Sequence, residues 1–342
     1  MEYWSFSNGF GLDNLIRKTG ELPRPGPRDV LLEMRAVSLN YRDLVVMRGQ
    51  HGKMVQPPLI PLSDGVGVVV ETGKDVTGFK IGDRVCPAFY QHWQGGPPPA
   101  DLEVGRLGGP LDGVLASHCV FPASTLVRVP DHLSDEEAAT LPCAGVTAWS
   151  ALSEPAPIRP GETVLILGTG GVALMALSLA KASGARTIIT TSGPSKAEKV
   201  RELGADIVID RSTEENWAQS VRTVTGGIGC DRVLELGGAE TLAASIKAVR
   251  TGGTIVLIGN VTGNKAELFL PLVLTRRLTL HSVSCGSRAA FQAMNRALEQ
   301  HEIRPEISEI ISFDTAPAAF TALETHKGVG NICISSFQGS DK

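Results

Sequence analysis

The chain has few cysteines, few aromatic residues and no excess of charge. Its six cysteines among 342 residues include no Cys-x-x-Cys pair, which favours buried free thiols in a reducing compartment over a disulfide framework. The net charge of −4 gives no reason to expect a nucleic acid or an anionic membrane as partner. No apolar run approaches the stretch of about 20 residues that spans a bilayer. With an acidic N-terminus that lacks a signal-like pattern, these absences predict a cytoplasmic globular protein.

The most informative stretch that is present is 163–173, TVLILGTGGVA. Its first five residues are an unbroken apolar run, as expected of a parallel strand buried on both faces, and an alanine-rich helical pattern follows. Gly168 allows a tight turn and Gly170 lets the backbone approach a pyrophosphate, while Gly171 and Val172 open the helix that would hold the anion. The stretch therefore predicts a dinucleotide-binding turn, with a merely structural turn as the alternative.

Strand–helix units repeat after this turn, whereas the first part of the chain has short strands between Gly- and Pro-rich turns. The predicted strands of the repeating part are 163–167, 187–191, 207–210, 232–236, 254–259 and 278–283. This order predicts an α/β fold with a doubly wound parallel (Rossmann) sheet and a second, β-rich domain. The predicted domains are 129–284 for the Rossmann part and 1–128, completed by 285–342, for the β-rich part.

Four motifs in this order give the chain a family resemblance: NYRD at 40–43, GFKIGDRV at 78–85, LPCAGVTAW at 141–149 and GTGGV at 168–172. Together they resemble the medium-chain dehydrogenases/reductases over nearly the full length. The resemblance implies a GroES-like catalytic domain, a Rossmann domain and an active site between them. It also implies hydride transfer between a nicotinamide and a carbonyl, alcohol or activated alkene.

The chain departs from the zinc-dependent members of that family at their metal ligands. Those members place a cysteine where this chain has Asn40–Asp43, and a His-Glu pair where it has Ser63 and Asp64. Only Cys143 remains, near the position of the third ligand. Because catalytic zinc needs three protein ligands, we predict no metal site. The chain thus resembles the zinc-free, quinone oxidoreductase-like branch.

The end of the second predicted strand bears on the choice of cofactor. NAD-specific sites carry a carboxylate there for the ribose hydroxyls. This chain instead has Ser192, which can donate a hydrogen bond, and Lys196, which supplies positive charge. We therefore predict NADP(H) rather than NAD(H). The alternative is an ordinary turn followed by a solvated lysine.

Further cofactor contacts are expected where the parallel strands end, because ligands of doubly wound sheets bind at the carboxyl edge. The residues that follow the fourth, fifth and sixth strands are Gly237, Gly238, Ile258, Gly259, Asn260, Ser284 and Cys285. The family resemblance adds Thr147, near the nicotinamide end, and Asn331, in a closing segment where relatives often carry a lysine.

Without zinc, another group must stabilise the oxyanion that develops during reduction. Tyr41 is the predicted donor, with Asn40 orienting cofactor or substrate and Asp43 ordering the loop through Arg42 or backbone groups. The alternative for Tyr41 is a packed aromatic residue with a satisfied hydroxyl.

These observations predict a zinc-independent, NADP(H)-dependent oxidoreductase acting on a small quinone, enone or other activated carbonyl substrate. The alternatives are a zinc-free alcohol or aldehyde dehydrogenase and a non-catalytic NADPH-binding protein. The apolar fifth and sixth strands end the predicted sheet, and such an edge favours pairing with a second copy, so we expect a homodimer.

Overall fold

The structure, a computed structural model, describes residues 1–325 and 328–335. Its strands are β1 (Glu2–Phe6), β2 (Leu15–Thr19), β3 (Asp29–Ser38), β4 (Asp64–Thr72), β5 (Arg84–Pro87), β6 (His118–Pro122), β7 (Leu126–Arg128), β8 (Thr163–Leu167), β9 (Arg186–Thr191), β10 (Ile207–Asp210), β11 (Cys230–Glu235), β12 (Val249–Leu257), β13 (Thr279–Ser282), β14 (Ile307–Ser312) and β15 (Asn331–Ser335). Its α-helices are α1 (Tyr41–Met47), α2 (Asp135–Ala139), α3 (Val146–Ser153), α4 (Gly171–Ala182), α5 (Pro194–Glu202), α6 (Trp217–Val224), α7 (Leu242–Ala248), α8 (Leu270–Thr275), α9 (Arg288–His301) and α10 (Ala316–Glu324).

The chain forms two compact units. Within the described residues, unit 1 comprises 1–146, 286–325 and 331–335, and unit 2 comprises 147–285 and 328–330. The helix α2 lies against β3 and β4, which joins residues 129–146 to unit 1. The domain boundary expected after residue 128 stays a prediction. In the structure, the two compact units divide after Val146.

Unit 2 is built on a six-stranded parallel sheet in the order β10-β9-β8-β11-β12-β13. Val164, Leu165 and Ile166 of the central strand β8 are fully buried, because helices cover both faces of such a sheet. Trp217 and Val221 of α6 belong to the same hydrophobic core as Leu165. The predicted α/β fold with a Rossmann sheet is confirmed, although β12 begins earlier than expected, at Val249.

Unit 1 is β-rich, as predicted for the GroES-like domain. Its main sheet has the order β14-β15-β3-β4-β5-β7, with β6 also paired to β3, and β1 and β2 form a separate antiparallel pair. The core contains Phe6, Leu32, Val85, Leu126 and Phe313, each buried. This packing fixes the ends of β3 and β4, between which the NYRD motif lies.

The helix α1, which begins within that motif, has no counterpart among the predicted elements. It spans only seven residues, too few for a helical repeat of apolar residues to be distinguished. Among the described helices, the longest is α9 with 14 residues, and none has the length and apolar content that crossing a membrane would need.

Candidate cofactor and catalytic sites

The glycine turn after β8 has open space where a dinucleotide would approach. Gly168 has a φ of 87°, which favours glycine, and a Cβ placed on Gly168 or Gly170 would meet no atom within 4 Å. The helix α4 begins at Gly171, with Val172 in its first turn, so the unpaired N–H groups of that turn lie beside the open backbone. This arrangement fits a pyrophosphate, which needs both close backbone approach and helix N–H donors.

A buried carboxylate organises the loop that follows β11. Glu235, 1% exposed, accepts hydrogen bonds at Oε1 from the backbone N–H groups of Gly237 (2.9 Å) and Gly238 (3.0 Å) and from the Thr241 hydroxyl (2.5 Å). The Ser245 hydroxyl donates to Oε2. The sequence analysis missed Glu235, whose role depends on a helix that begins several residues later.

The loop after β12 is joined to the same edge. The N–H groups of Ile258 and Gly259 both donate to the backbone oxygen of Glu235, at 3.0 and 3.1 Å. A Cβ on Gly259 would lie 2.1 Å from the Leu236 carbonyl oxygen, so only glycine fits there. Asn260 donates through Nδ2 to Asn264 Oδ1 at 2.6 Å. These residues lie at the carboxyl edge, as the parallel topology requires, and their cofactor contacts stay predictions.

The other predicted cofactor residues lie in both units. In unit 2, Ser284 and Cys285 follow β13, and Cys285 is 5% exposed with a φ of 62°. Thr147 of α3 is also buried in unit 2. In unit 1, Asn331 begins β15 and donates through Nδ2 to the Ser38 hydroxyl at 3.3 Å. Their predicted cofactor roles remain predictions.

The turn after β9 carries the residues predicted to select the cofactor. Ser192 is exposed, and Lys196, in the first turn of α5, is half-buried. The structure adds a carboxylate that the sequence analysis missed: Asp210, the last residue of β10, pairs directly with Thr191, the last residue of β9. Asp210 Oδ1 accepts from the Gly193 N–H at 2.9 Å. The hydrogen bonds to Asp210, first of all from the Ser212 N–H, lower its pKa.

In unit 1 the NYRD motif forms a helix start. Asn40 is the N-cap of α1, and its N–H donates to Asp43 Oδ2 at 2.7 Å. Asp43 is 1% exposed and pairs through Oδ1 with Arg42 Nη1 at 3.1 Å. Burial raises the pKa of Asp43, although the Arg42 charge opposes that shift. Asp43 thus contacts Arg42 and a backbone group of this segment, and its role in ordering the loop stays a prediction.

A second buried carboxylate lies beside this motif. Asp64 is fully buried; its Oδ1 accepts from the Ser63 hydroxyl at 2.7 Å and its Oδ2 from the Cys143 N–H at 2.9 Å. The Asn40 amide lies close enough to favour the charged form of Asp64, although its Nδ2 makes no hydrogen bond of normal geometry within the described chain. Burial dominates, helped by the nearby Asp43 charge, and raises the pKa of Asp64 to about 7.

The Tyr41 side chain contacts the hydrophobic core of unit 1 and the Arg48 side chain. Its ring packs against the core of unit 1, and its hydroxyl lies beside the Arg48 guanidinium. Arg48 also pairs with Glu324 at 2.6 Å. Because arginine can only donate, Tyr41 accepts in this contact, and the contact does not consume its hydroxyl proton. Tyr41 is thus a partly packed aromatic residue whose hydroxyl lies beside a guanidinium, and its role as the donor stays a prediction.

The residues at the family's zinc-ligand positions do not fit a zinc ion. Both Asp64 oxygens are already hydrogen-bonded, Ser63 donates its proton to Asp64, and Asn40 offers an amide. Cys143 contributes a thiol that is partly exposed. Over the described ranges, no group of three His, Cys, Asp or Glu side chains could hold a metal ion. The donor set therefore lacks the three ligands that catalytic zinc requires.

Comparisons with known proteins match both units. Residues 26–131 match the alcohol dehydrogenase GroES-like domain, and residues 171–300 match the zinc-binding dehydrogenase family. A zinc-type alcohol dehydrogenase-like protein of Schizosaccharomyces pombe is 36% identical, covering 95% of this chain and 96% of its own. A Pseudomonas aeruginosa quinone oxidoreductase is 33% identical, covering 91% and 92%. The solved structure of mycobacterial Rv1454c complexed with NADPH superposes with a TM-score of 0.82 at 27% identity, covering 98% and 100%.

Proposed function

Since this chain belongs to the medium-chain dehydrogenase/reductase superfamily, we propose that it is an NADPH-dependent oxidoreductase that reduces a quinone, enone or other activated carbonyl compound without zinc. The observation that carries the proposal is the open glycine turn at Gly168 and Gly170, at the head of α4 and the carboxyl edge of a parallel sheet. A bound NADPH supplies the hydride. The similarity to a Pseudomonas aeruginosa quinone oxidoreductase and to a mycobacterial structure complexed with NADPH supports this assignment.

The proposed preference for NADPH rests on Ser192 and Lys196. The exposed Ser192 hydroxyl can donate to a phosphate, and the half-buried Lys196 ammonium lies in the first turn of α5. The carboxylate of Asp210, at the end of β10, accepts from the Gly193 N–H and is also engaged by the backbone and hydroxyl donors of Ser212. A phosphate on the 2′ position would therefore meet donors and positive charge in this turn.

For the chemical step we propose Tyr41 as the donor to the substrate oxygen. A phenol hydroxyl can donate its proton to a developing oxyanion, and the Arg48 guanidinium beside Tyr41 would favour the negative charge left on the phenol oxygen. Asn40, capping α1 beside the two buried carboxylates, would orient cofactor or substrate, and Asp43 would keep Asn40 in place through the 2.7 Å hydrogen bond from its N–H. Zinc independence is part of the proposal, because both Asp64 oxygens already accept hydrogen bonds, from the Ser63 hydroxyl and from the Cys143 backbone N–H.

The test is NADPH oxidation over a panel of quinones, enones and aldehydes, with wild type, Tyr41→Phe and the control Tyr3→Phe. Tyr3 also packs on the unit 1 core, so it controls for the loss of a phenol hydroxyl. We expect turnover by wild type and Tyr3→Phe, and about a 10²- to 10⁴-fold lower kcat for Tyr41→Phe, the usual contribution of a proton donor.

The other outcomes of this panel separate the alternatives. Binding of NADPH without turnover of any substrate would indicate a non-catalytic NADPH-binding protein. Oxidation of alcohols with no reduction of quinones or enones would indicate a zinc-free alcohol dehydrogenase. Full activity of Tyr41→Phe would leave Tyr41 as a packed aromatic residue and remove it from the chemistry. Activity that a chelator abolishes would contradict the zinc-free proposal.

We also propose a homodimer formed along β13. This strand ends the sheet of unit 2 and is half-exposed, so its outer backbone groups can pair with another strand. Large apolar side chains precede it in the sequence: Phe269 is 70% exposed and Leu274 71% exposed. A second copy would cover such a surface. Light scattering at micromolar concentration should give twice the chain mass, and a monomer would contradict the proposal.

A further inference from the structure

One edge of a buried arginine in unit 1 is not used by the fold. Arg106 lies in the segment 88–117, between β5 and β6, and is 9% exposed. Its Nη1 pairs with Glu103 Oε2 at 2.7 Å, whereas its buried Nε has no hydrogen-bond partner in the described chain. Its Nη2 lies 3.5 Å from His51 Nδ1, at the limit of hydrogen-bond distance. Native proteins leave few buried polar atoms unpaired, so this edge of Arg106 requires an explanation.

The geometry of this edge suits a carboxylate. In a planar guanidinium, the Nε–H and one Nη2–H point in parallel from the same side, so that they match the two oxygens of a carboxylate. Glu103 does not take this side of Arg106, because it pairs at Nη1. Glu103 is also exposed, so water screens its charge. The Nε–Nη2 edge of Arg106 therefore keeps a bidentate place for a second carboxylate.

The charges around this edge favour an anion. Burial lowers the pKa of His51, and the positive charges of Arg42 and Arg106 lower it further. Their effect on the ring exceeds the opposite effect of Glu103. His51 is half-buried, but the residues 52–54 that follow it are exposed, so its segment is open to solvent. An anion that enters from this side would replace the long contact between His51 and Nη2.

The segment that carries Arg106 is tied to the NYRD motif. Arg42 of that motif donates through Nη2 to the backbone oxygens of Gly108 and Gly109, both at 3.3 Å. Its guanidinium also lies 5.2 Å from the centre of the Phe89 ring. These contacts join two parts of the segment to the helix α1. The unused edge of Arg106 therefore belongs to the same part of unit 1 as the residues that we propose for the chemical step.

We propose that the Nε–Nη2 edge of Arg106 binds a carboxylate carried by the substrate, so that the enzyme prefers anionic carbonyl compounds to neutral ones. The inference rests on the proposed carbonyl reduction and names its substrate class: a quinone, enone or aldehyde that bears a carboxylate. Such a group pairs with the unused donors of Arg106 and brings a negative charge to a place where Arg42 favours one as well. A neutral ester of similar shape offers acceptor oxygens without the charge, so it gains less.

Calorimetric binding of an acid and its methyl ester tests this site without turnover. The ligands are levulinate and methyl levulinate, which share a ketone and differ in charge. They are titrated with and without NADP⁺, which carries no hydride to transfer. The variants are Arg106→Gln, Arg106→Lys, Glu103→Gln and the control Arg35→Gln; Arg35 of β3 is half-buried and pairs with Glu33 at 3.3 Å. Thermal unfolding of each variant checks that it folds.

We expect wild type to bind levulinate about tenfold or more tightly than its ester. Arg106→Gln should bind levulinate about 10- to 100-fold more weakly, as for the loss of one charge-assisted contact, and the ester within about threefold of wild type. Arg106→Lys should fall between, because it keeps the charge but loses the planar fork. Glu103→Gln should bind levulinate about two- to fivefold more tightly, since a competing negative charge is removed. Arg35→Gln should bind both ligands as wild type does.

Three results would overturn the proposal. Absent or equal binding of the two ligands by wild type would show that the site does not recognise a carboxylate. Equal losses of both ligands in Arg106→Gln would mean that Arg106 supports the shape of the site only. If neither Arg106 variant folds, an unchanged levulinate affinity of Glu103→Gln, which alters an exposed residue, would contradict the site. Failure of the proposed carbonyl reduction would appear only in the turnover assay with NADPH, and would leave this binding result standing.

Discussion

Two buried carboxylates, Glu235 in unit 2 and Asp64 in unit 1, show how the number of donors decides what a buried acid does. Glu235 is 1% exposed and accepts from four donors: two backbone N–H groups and two hydroxyls. Asp64 is fully buried and accepts two well-formed hydrogen bonds, from Ser63 and Cys143. For Asp64, burial outweighs those bonds and its pKa rises to about 7.

The two carboxylates therefore differ in role: Glu235 holds a loop in place, whereas the protonation of Asp64 depends on pH. Around Glu235 the hydrogen bonds fix a loop at the carboxyl edge, so the loop's shape depends on a single side chain. Around Asp64 the neighbouring Asp43 adds negative charge, and each proton that the pair binds changes the electrostatics next to Asn40. We therefore expect the stability of unit 2 to depend on Glu235, and the stability of unit 1 to depend on pH.

The largest expected effect is that of Glu235→Ala. It leaves the N–H groups of Gly237 and Gly238 and two hydroxyls without their acceptor, at about 1–3 kcal/mol for each group that finds no other partner. We expect a loss of roughly 3–5 kcal/mol in the free energy of unfolding, and weaker NADPH binding, measured by urea denaturation and calorimetry. Glu235→Gln is the control, since it keeps one acceptor oxygen, and should lose less than half as much. A loss below about 1 kcal/mol for the alanine variant would show that the loop does not rely on Glu235.

Much of unit 2 could be predicted from sequence because its signals are local. The unbroken apolar run of β8 and the glycines after it lie in one stretch, and the predicted strand and turn were confirmed within a residue or two. The role of Glu235 could not be predicted, because its donors come from a loop and a helix that follow its strand. In unit 1 the partners are further apart: Asp64 binds the N–H of a residue 79 positions later, and Asn331 contacts Ser38 across 293 positions. No periodicity encodes such contacts.

The second-largest expected effect is a change in how the free energy of unfolding depends on pH, and the Asp64→Asn variant measures the part that Asp64 contributes. The pKa of Asp64 is about 7 in the folded chain and about 4 when unfolded. The folded state therefore binds the proton more tightly, so the contribution of Asp64 is fully present below pH of about 4 and is lost as the pH rises through 7. Asp43, whose pKa is also raised, contributes with the same sign.

We expect Asp64→Asn to gain stability relative to wild type as the pH rises from 5 to 8, by about 2–3 kcal/mol and by no more than about 4 kcal/mol. Asparagine keeps the acceptor for the Cys143 N–H, and the Ser63 hydroxyl can turn to accept. Urea denaturation across this pH range measures the difference between the two proteins, in which the titration of other groups cancels. A difference that does not vary with pH would mean that Asp64 titrates alike in both states, and the contrast with Glu235 would then fail.

The smallest expected effects come from removing one hydrogen-bond donor from each of the two carboxylates. Ser63→Ala removes the 2.7 Å hydrogen bond to Asp64, and Thr241→Val removes one of the four donors of Glu235. A hydrogen bond to a charged group contributes about 1.5–3 kcal/mol and a neutral one about 1 kcal/mol. Because Asp64 is protonated at pH 5 and ionised at pH 8, the Ser63→Ala loss should grow from about 1 to about 2 kcal/mol across that range. Removing the donor also raises the folded-state pKa of Asp64 further, so the fall in stability should extend to a higher pH than in wild type.

The Thr241→Val variant, measured in the same denaturation series, gives the loss for a carboxylate that keeps three donors. If the Ser63→Ala loss stays constant from pH 5 to pH 8, the charge of Asp64 does not depend on Ser63, and burial alone sets its proton affinity.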